Sequence, residues 1–124
     1  MNWTVDGTAV ATTTFQSLRL PLGSISVGGS GPSSYLQLIF PDAVGTYLFS
    51  PTAAGSATYS AIVGSMNATY YAGASGVGTL TGAGTIVVTT LTATRVAGTF
   101  TFTGISANSG TAKSITNGTF DVSL

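Results

Sequence analysis

Three aspartates and three cations make up all the ionic chemistry of this chain: Asp6, Asp42 and Asp121 against Arg19, Arg95 and Lys113. There is no Glu, His or Cys. General acid–base catalysis draws on a His or on paired carboxylates, and a glycosidase needs two carboxyl groups flanking one bond. The spacing of the aspartates puts no two in one motif. Asp6 precedes Gly7 and Asp42 follows Pro41, turn settings in which a carboxylate accepts backbone amides. Asp121 falls in the polar register of the last segment. Calcium needs several oxygen ligands in one loop, and structural zinc needs Cys or His. Lys113 and Ser114 are adjacent, so on a strand they point to opposite faces and form no dyad. The Gly73 to Gly78 run lacks the Lys of a phosphate-binding loop. The expectation is therefore a chain with no catalytic, metal-binding or cofactor-binding residue, and not an enzyme.

The same scarcity narrows the partners. Charged residues are 5% of the 124 positions and cancel to a net charge of zero, against roughly 25% in an ordinary domain. Phosphate neutralisation needs clustered Lys and Arg, so nucleic acid is not expected. No apolar run approaches the length of a spanning helix. A neutral surface favours association, and a homo-oligomer or polymer is the expected state. Without Cys there is no disulfide framework. The start, Met1 to Asp6, has no basic segment followed by an apolar one, so no signal peptide is read in this chain. Asn2-Trp3-Thr4, Asn67-Ala68-Thr69 and Asn117-Gly118-Thr119 match the glycosylation sequon, as chance predicts in a Thr-rich chain.

The elements that must position these residues are strands. Period-two alternation runs through Arg95 to Gly104, where Val96, Phe100 and Phe102 oppose Thr99, Thr101 and Thr103. Phe120, Val122 and Leu124 alternate with Thr119, Asp121 and Ser123. With the Ser106 to Thr111 loop these two segments predict a long hairpin. Asp6-Gly7 predicts a second one, between Asn2 to Val5 and Thr8 to Phe15. Further strands are expected at Ser24 to Val27, Ser34 to Phe40, Thr46 to Ser50, Ala57 to Val63, Met66 to Tyr71 and Gly84 to Leu91. Ser34 to Phe40 is almost continuously apolar, which predicts burial on both faces. The Gly-rich stretch Ala72 to Gly84 is either a loop or a close backbone approach. All four prolines fall between runs. The fold class is all-β: one domain, residues 1–124, an antiparallel β-sandwich or barrel of about nine to eleven short strands.

Two sets of residues are candidates for contact. Free ends fray unless tied down, so the strand-like ends Asn2, Trp3, Thr4, Val5 and Phe120, Val122, Leu124 predict self-association by strand addition between subunits. Trp3, Tyr70 and Tyr71 are the candidate aromatic platform for carbohydrate. The rows Thr12/Thr14, Thr79/Thr81, Thr92/Thr94 and Thr99/Thr101/Thr103 read as solvent faces of strands, with an ice-binding array as the remote alternative.

Four stretches carry a resemblance: Trp3-Thr4-Val5-Asp6-Gly7-Thr8, Gly45-Thr46-Tyr47-Leu48, Val96-Ala97-Gly98-Thr99-Phe100-Thr101-Phe102 and Ile115-Thr116-Asn117-Gly118-Thr119-Phe120. In their order and spacing the chain resembles a family of small secreted or lipid-anchored β proteins from Bacteroidetes, a domain of unknown function. The resemblance implies an extracellular or envelope β-sandwich in such a source, or in a virus of one. It supplies no catalytic residues. Members of that family often carry a leader and an anchoring Cys, and this sequence shows neither.

Together these readings predict a non-enzymatic structural subunit that self-associates into a surface assembly, an extracellular filament or a virion component. The alternative is a monomeric carbohydrate- or host-surface-binding module. The expected location is extracellular or at the cell surface, or else in a virion.

Overall fold

Thr, Val, Ile and aromatic side chains favour a pleated, extended backbone, and the computed structural model of the chain is built from strands. It describes residues 1–12, 14–21, 23–50, 52, 55–63, 66–73, 82–106 and 109–124. Eleven strands form: β1 (Asn2–Val5), β2 (Thr8–Ala11), β3 (Thr14–Leu20), β4 (Ser24–Ser30), β5 (Ser34–Pro41), β6 (Gly45–Phe49), β7 (Ser56–Val63), β8 (Met66–Gly73), β9 (Ala83–Leu91), β10 (Arg95–Ile105) and β11 (Ala112–Ser123). Every ladder between them is antiparallel. No helix occurs among the described residues.

The strands make one sheet in the order β2-β1-β11-β10-β8-β7-β5-β4-β3, with β9 and β6 branching from β10. β10 is the fork. One of its edges pairs with β11 from Arg95 to Ile105. The other pairs with β9 from Val96 to Thr103, and Ile105 alone reaches Tyr71 of β8. From this fork the sheet curls into a half-barrel, bringing β4 and β5 over β11 and β1. Two register slips lie beside the fork, one opposite Ala97 and Gly98 and one opposite Phe100 and Phe102. In the second, Asn117 takes a φ of 51°, a left-handed conformation that Asn tolerates better than most residues. Such bulges bend a strand and tighten its twist, which is how a wide sheet wraps a core.

The core comes from the inward registers. Phe40 of β5 meets Phe120 of β11 at 5.7 Å between ring centres. Phe100 lies 6.3 Å from Phe120, and Phe49 meets Phe102 edge-on at 5.9 Å. Trp3, Ile25, Val27, Leu36, Leu38, Ile86, Val88, Val96 and Ile115 fill the rest. The alternations expected in β10 and β11 are present, with Val96, Phe100, Phe102, Phe120 and Val122 buried.

Several expectations change. Thr8 to Phe15 is not one strand. The Thr12 hydroxyl donates to the Ser30 carbonyl and accepts the Thr14 amide at 3.1 Å, so the chain leaves the β1–β2 hairpin there and re-pairs with β4 as β3. Ser24 to Val27 extends to Ser30, because the ring of Tyr35 lies over Gly28 while Met1 and Trp3 pack on Gly29, and the ladder continues through both glycines. Ser34 to Phe40 is not buried on both faces. Leu36, Leu38 and Phe40 are inside, while Tyr35 is exposed and Gln37 and Ile39 are half-exposed, because the outward face of β5 has no covering layer. Pro41 is also the last residue of β5 rather than outside it. The tip of the β7–β8 turn, most of the Gly-rich stretch, Thr79, Thr81, Pro51 and Asn108 lie outside the described residues.

Beyond its ladders the curl is closed by side chains. The Ser17 hydroxyl of β3 donates to the Ser123 carbonyl. The Arg19 guanidinium donates to Asp42 Oδ2 at 2.8 Å, to the Thr92 carbonyl at 2.8 Å and to the Ala93 carbonyl at 3.0 Å. One planar fork thus ties β3 to the turn after β5 and to the β9–β10 turn. Arg19→Ala is expected to cost about 1–2 kcal/mol, the range for charge-assisted bonds that are partly solvated. Arg19→Lys should recover only part of this, because an ammonium cannot span three diverging acceptors. Urea unfolding of the two variants measures the difference, and equal midpoints for Lys and wild type would contradict the clamp.

Candidate association edge

The six charges pair off completely. Arg19 meets Asp42 at 2.8 Å, Arg95 meets Asp121 at 2.7 Å and Lys113 meets Asp6 at 3.3 Å. Sequence spacing could not show this, because each pair joins different strands or turns. The Asp6-Gly7 turn has φ of 46° and 88°, the pattern of a type I′ hairpin turn. It aims the Asp6 carboxylate at the Ser114 amide, 2.8 Å away. That bond, followed by Lys113, lowers the Asp6 pKa below its ordinary 3.8. The Arg95 guanidinium grips Asp121 through two bonds of 2.7 Å and lowers its pKa in the same direction, while Asp121 raises that of Arg95.

A carboxylate with a depressed folded pKa stabilises the fold above its unfolded value, and that contribution disappears as pH falls through the folded value. Thermal stability is therefore expected to be flat down to about pH 4 and to fall below it, near the ordinary carboxylate range. Asp121→Asn should flatten the acid limb. A midpoint that already drops between pH 7 and 5 would point to other groups.

The expected contact residues are placed differently from the sequence reading. Trp3 is 1% exposed and Tyr70 is 8% exposed. Trp3 packs toward Gly29, while Tyr70 meets Tyr59 in a tilted pair at 6.2 Å between ring centres. Tyr71 is half-exposed, on the opposite face of β8 from Tyr70. The three do not form a platform, since the amphipathic rings of the first two fill the core. The buried Trp3 Nε1 has no hydrogen-bond partner among the described residues.

The terminal strands are likewise tied down inside the monomer. β1 carries Asn2, Trp3, Thr4 and Val5 between β2 and β11. β11 carries Phe120 and Val122 beside β10, past the Asn2–Thr119 pair that ends its ladder with β1, and the Leu124 amide donates to the Thr94 carbonyl at 2.9 Å. Asn2 to Val5 therefore offer no free ladder for strand addition, while β11 from Phe120 to Ser123 keeps one unpaired edge, which the Ser17 hydroxyl reaches at Ser123.

Longer free ladders lie at the ends of the sheet. β2, β3 and β6 each pair on one side only. β2 has four residues and β6 five, whereas β3 has seven in unbroken register with β4. Natural edge strands are guarded by Pro, Lys, a bulge or an inward charge. β3 contains no Pro or Lys. Its one cation, Arg19, stands in the inward register opposite Ile25 and guards the C-terminal end of the edge, held by Asp42 and two carbonyls of neighbouring turns. Leu18 is 62% exposed on the outer face and Phe15 is 43% exposed on the inner one. Phe15 follows the core register opposite Gly29, yet the edge strand overhangs the core, so its ring stays in water. Beside this edge a shallow depression of about 230 Å³ is lined by Gln16, Leu18, Leu20, Ser26, Tyr35 and Gln37. Only hindsight links Leu18 to this role. In the sequence it sits in no alternating run, because the expected strand ended at Phe15.

A second concavity lies on the outer face of β9, β10 and β11, about 390 Å³, where Thr85, Thr99, Thr101, Asn117 and Thr119 project around the bulge. The Thr99/Thr101/Thr103 row is exposed, as expected. No group of three or more His, Cys, Asp or Glu able to hold a metal occurs among the described residues, and none of their helices is long and apolar enough to cross a membrane.

Residues 4–122 match the family model described as Domain of unknown function (DUF6252). No curated protein and no solved structure matches the chain.

Proposed function

The chain belongs to the DUF6252 family, a domain of unknown function, and from that premise we propose that it is a non-enzymatic structural subunit that self-associates through its β3 edge. The observation that carries this reading is the seven-residue edge of β3, paired on one side only, with Leu18 and Phe15 exposed. The pairing of all six charges supports it as well, since net charge far from zero keeps proteins apart and here none remains to do so. The product would be a surface assembly, an extracellular filament or a virion component. The setting is extracellular or at the cell surface of a Bacteroidetes-like source, or the particle of a virus of one. Light scattering after size exclusion, with negative-stain imaging, over ~1–500 μM tests it, a span reaching the weak association that small interfaces give. Growth of mass with concentration is expected, and a monomer throughout would remove the proposal.

The outer groove favours a second reading, a carbohydrate- or host-surface-binding module. Its Thr hydroxyls and the Asn117 carboxamide are uncharged donors and acceptors of the kind that sugar hydroxyls match. Saturable glycan binding lost in Asn117→Ala, by a protein that stays monomeric, would move the assignment to this reading.

A further inference from the structure

We propose that the cleft between the β1–β2 hairpin and β7 binds a single-chain amphiphile with a carboxylate head, its apolar chain inside and its head at Lys113. This inference is independent of the β3 edge.

The cleft opens where the curled sheet parts: the hairpin end of β1 and β2 faces β7 and the start of β5, with no ladder joining them. Its volume is about 480 Å³, within the range of small-molecule sites. The walls set Val5, Ala9, Val10, Pro32 and Ala61 among the hydroxyls of Thr8, Ser33 and Ser34, with the largely buried Tyr59 beside them. Apolar walls with a few placed polar groups are the usual make-up of a ligand site.

Lys113 is the one charged residue in this lining. Among the described residues its ammonium has a single partner, Asp6 Oδ2 at 3.3 Å, the longest of the three ion pairs. An ammonium has three donors, so two remain. Asp6 itself is anchored first by the Ser114 amide and does not line the cleft. The other two cations differ: Arg19 is occupied by Asp42, Thr92 and Ala93, and Arg95 by both oxygens of Asp121. A single cation that keeps spare donors beside its ion pair, at the rim of a partly apolar gap, selects one negative charge on an apolar chain. Phosphate heads draw on bidentate Arg or several cations, which this rim lacks.

Native mass spectrometry and Trp3 fluorescence titration with dodecanoate, dodecanol and dodecylamine, all below their micelle thresholds, test the proposal on the intact chain. Saturable one-to-one binding of dodecanoate is expected, about tenfold tighter than dodecanol, the factor for one charge-assisted contact, with dodecylamine weaker still. Lys113→Met should bring dodecanoate to the dodecanol level without changing dodecanol. Ala61→Phe should block all three. Ala9→Phe on the exposed β2 edge serves the same purpose if circular dichroism shows Ala61→Phe misfolded. Absent saturation, equal or tighter binding of dodecanol or dodecylamine, or an unchanged dodecanoate affinity in Lys113→Met would each overturn the proposal. Assembly through β3 would stand in any of these cases.

Discussion

Leu18→Lys is expected to hold the protein monomeric at concentrations where the wild type associates. Leu18 stands on the outer face of an edge strand opposite Ser26, and no strand forms a ladder with β3 beyond it, the Ser17 hydroxyl alone reaching β11 at Ser123. A lysine there supplies an unpaired outward charge, which β3 lacks because its Arg19 faces inward and pairs with Asp42. When two β3 edges pair across a two-fold axis, the substitution enters twice, placing like charges within one small interface. Like-charge juxtaposition costs several kcal/mol, so association should weaken at least ~100-fold by the usual conversion. The monomer should be nearly unaffected, because exposed substitutions away from special features change stability by roughly 0.5 kcal/mol or less. Thermal melts and light scattering read the two quantities separately. Unchanged association with unchanged melting would exclude β3 and direct attention to β6, whose exposed Leu48 is the next apolar edge residue.

Phe120→Ala should produce the largest loss of stability. Its ring touches the core from β11 and meets Phe40 at 5.7 Å and Phe100 at 6.3 Å. It also lies against the backbone at Gly98, where even a Cβ would come within 2.9 Å of the ring and would overlap the Val87 carbonyl oxygen. β9 and β10 therefore have little room to collapse into the space left behind, and a cavity that cannot collapse carries the full penalty. The expected cost is about 3–5 kcal/mol, a large part of the 5–15 kcal/mol typical of a domain, lowering the melting temperature by roughly 15 °C. Phe120→Leu, which keeps most of the volume, should lose less than half of this. A shift of only a few degrees in Phe120→Ala would mean that the ring is not a keystone between the faces of the curl.

Much of the fold was legible because burial and pleat share one period. Arg95 to Gly104 and Thr119 to Leu124 alternate strictly, and the structure pairs them as β10 and β11 with the expected rings inside. Asp6-Gly7 marked the first hairpin because two consecutive left-handed residues suit few other pairs. β3 was hidden by its position. An edge strand overhanging the core has no reason to alternate, and Thr14 to Leu20 mixes Phe, Gln, Leu and Arg on faces that are both wet.

The sites were less legible than the strands. Trp3 and Tyr70 looked like contact residues because aromatic rings serve both cores and surfaces, and residue type does not separate the two. The terminal strands looked free because nothing in a linear sequence shows which edges other strands will cover. The scarcity of charge, the absence of His and Cys, and the strand-forming composition were determined by the sequence alone, since they are sums over residues. Which aspartate meets which cation, which edge stays open, and where Lys113 meets an apolar cleft were decided by the tertiary structure. Those facts depend on segments 23 to 108 positions apart, and the curl of the sheet brings them together through bulges and register rather than local pattern.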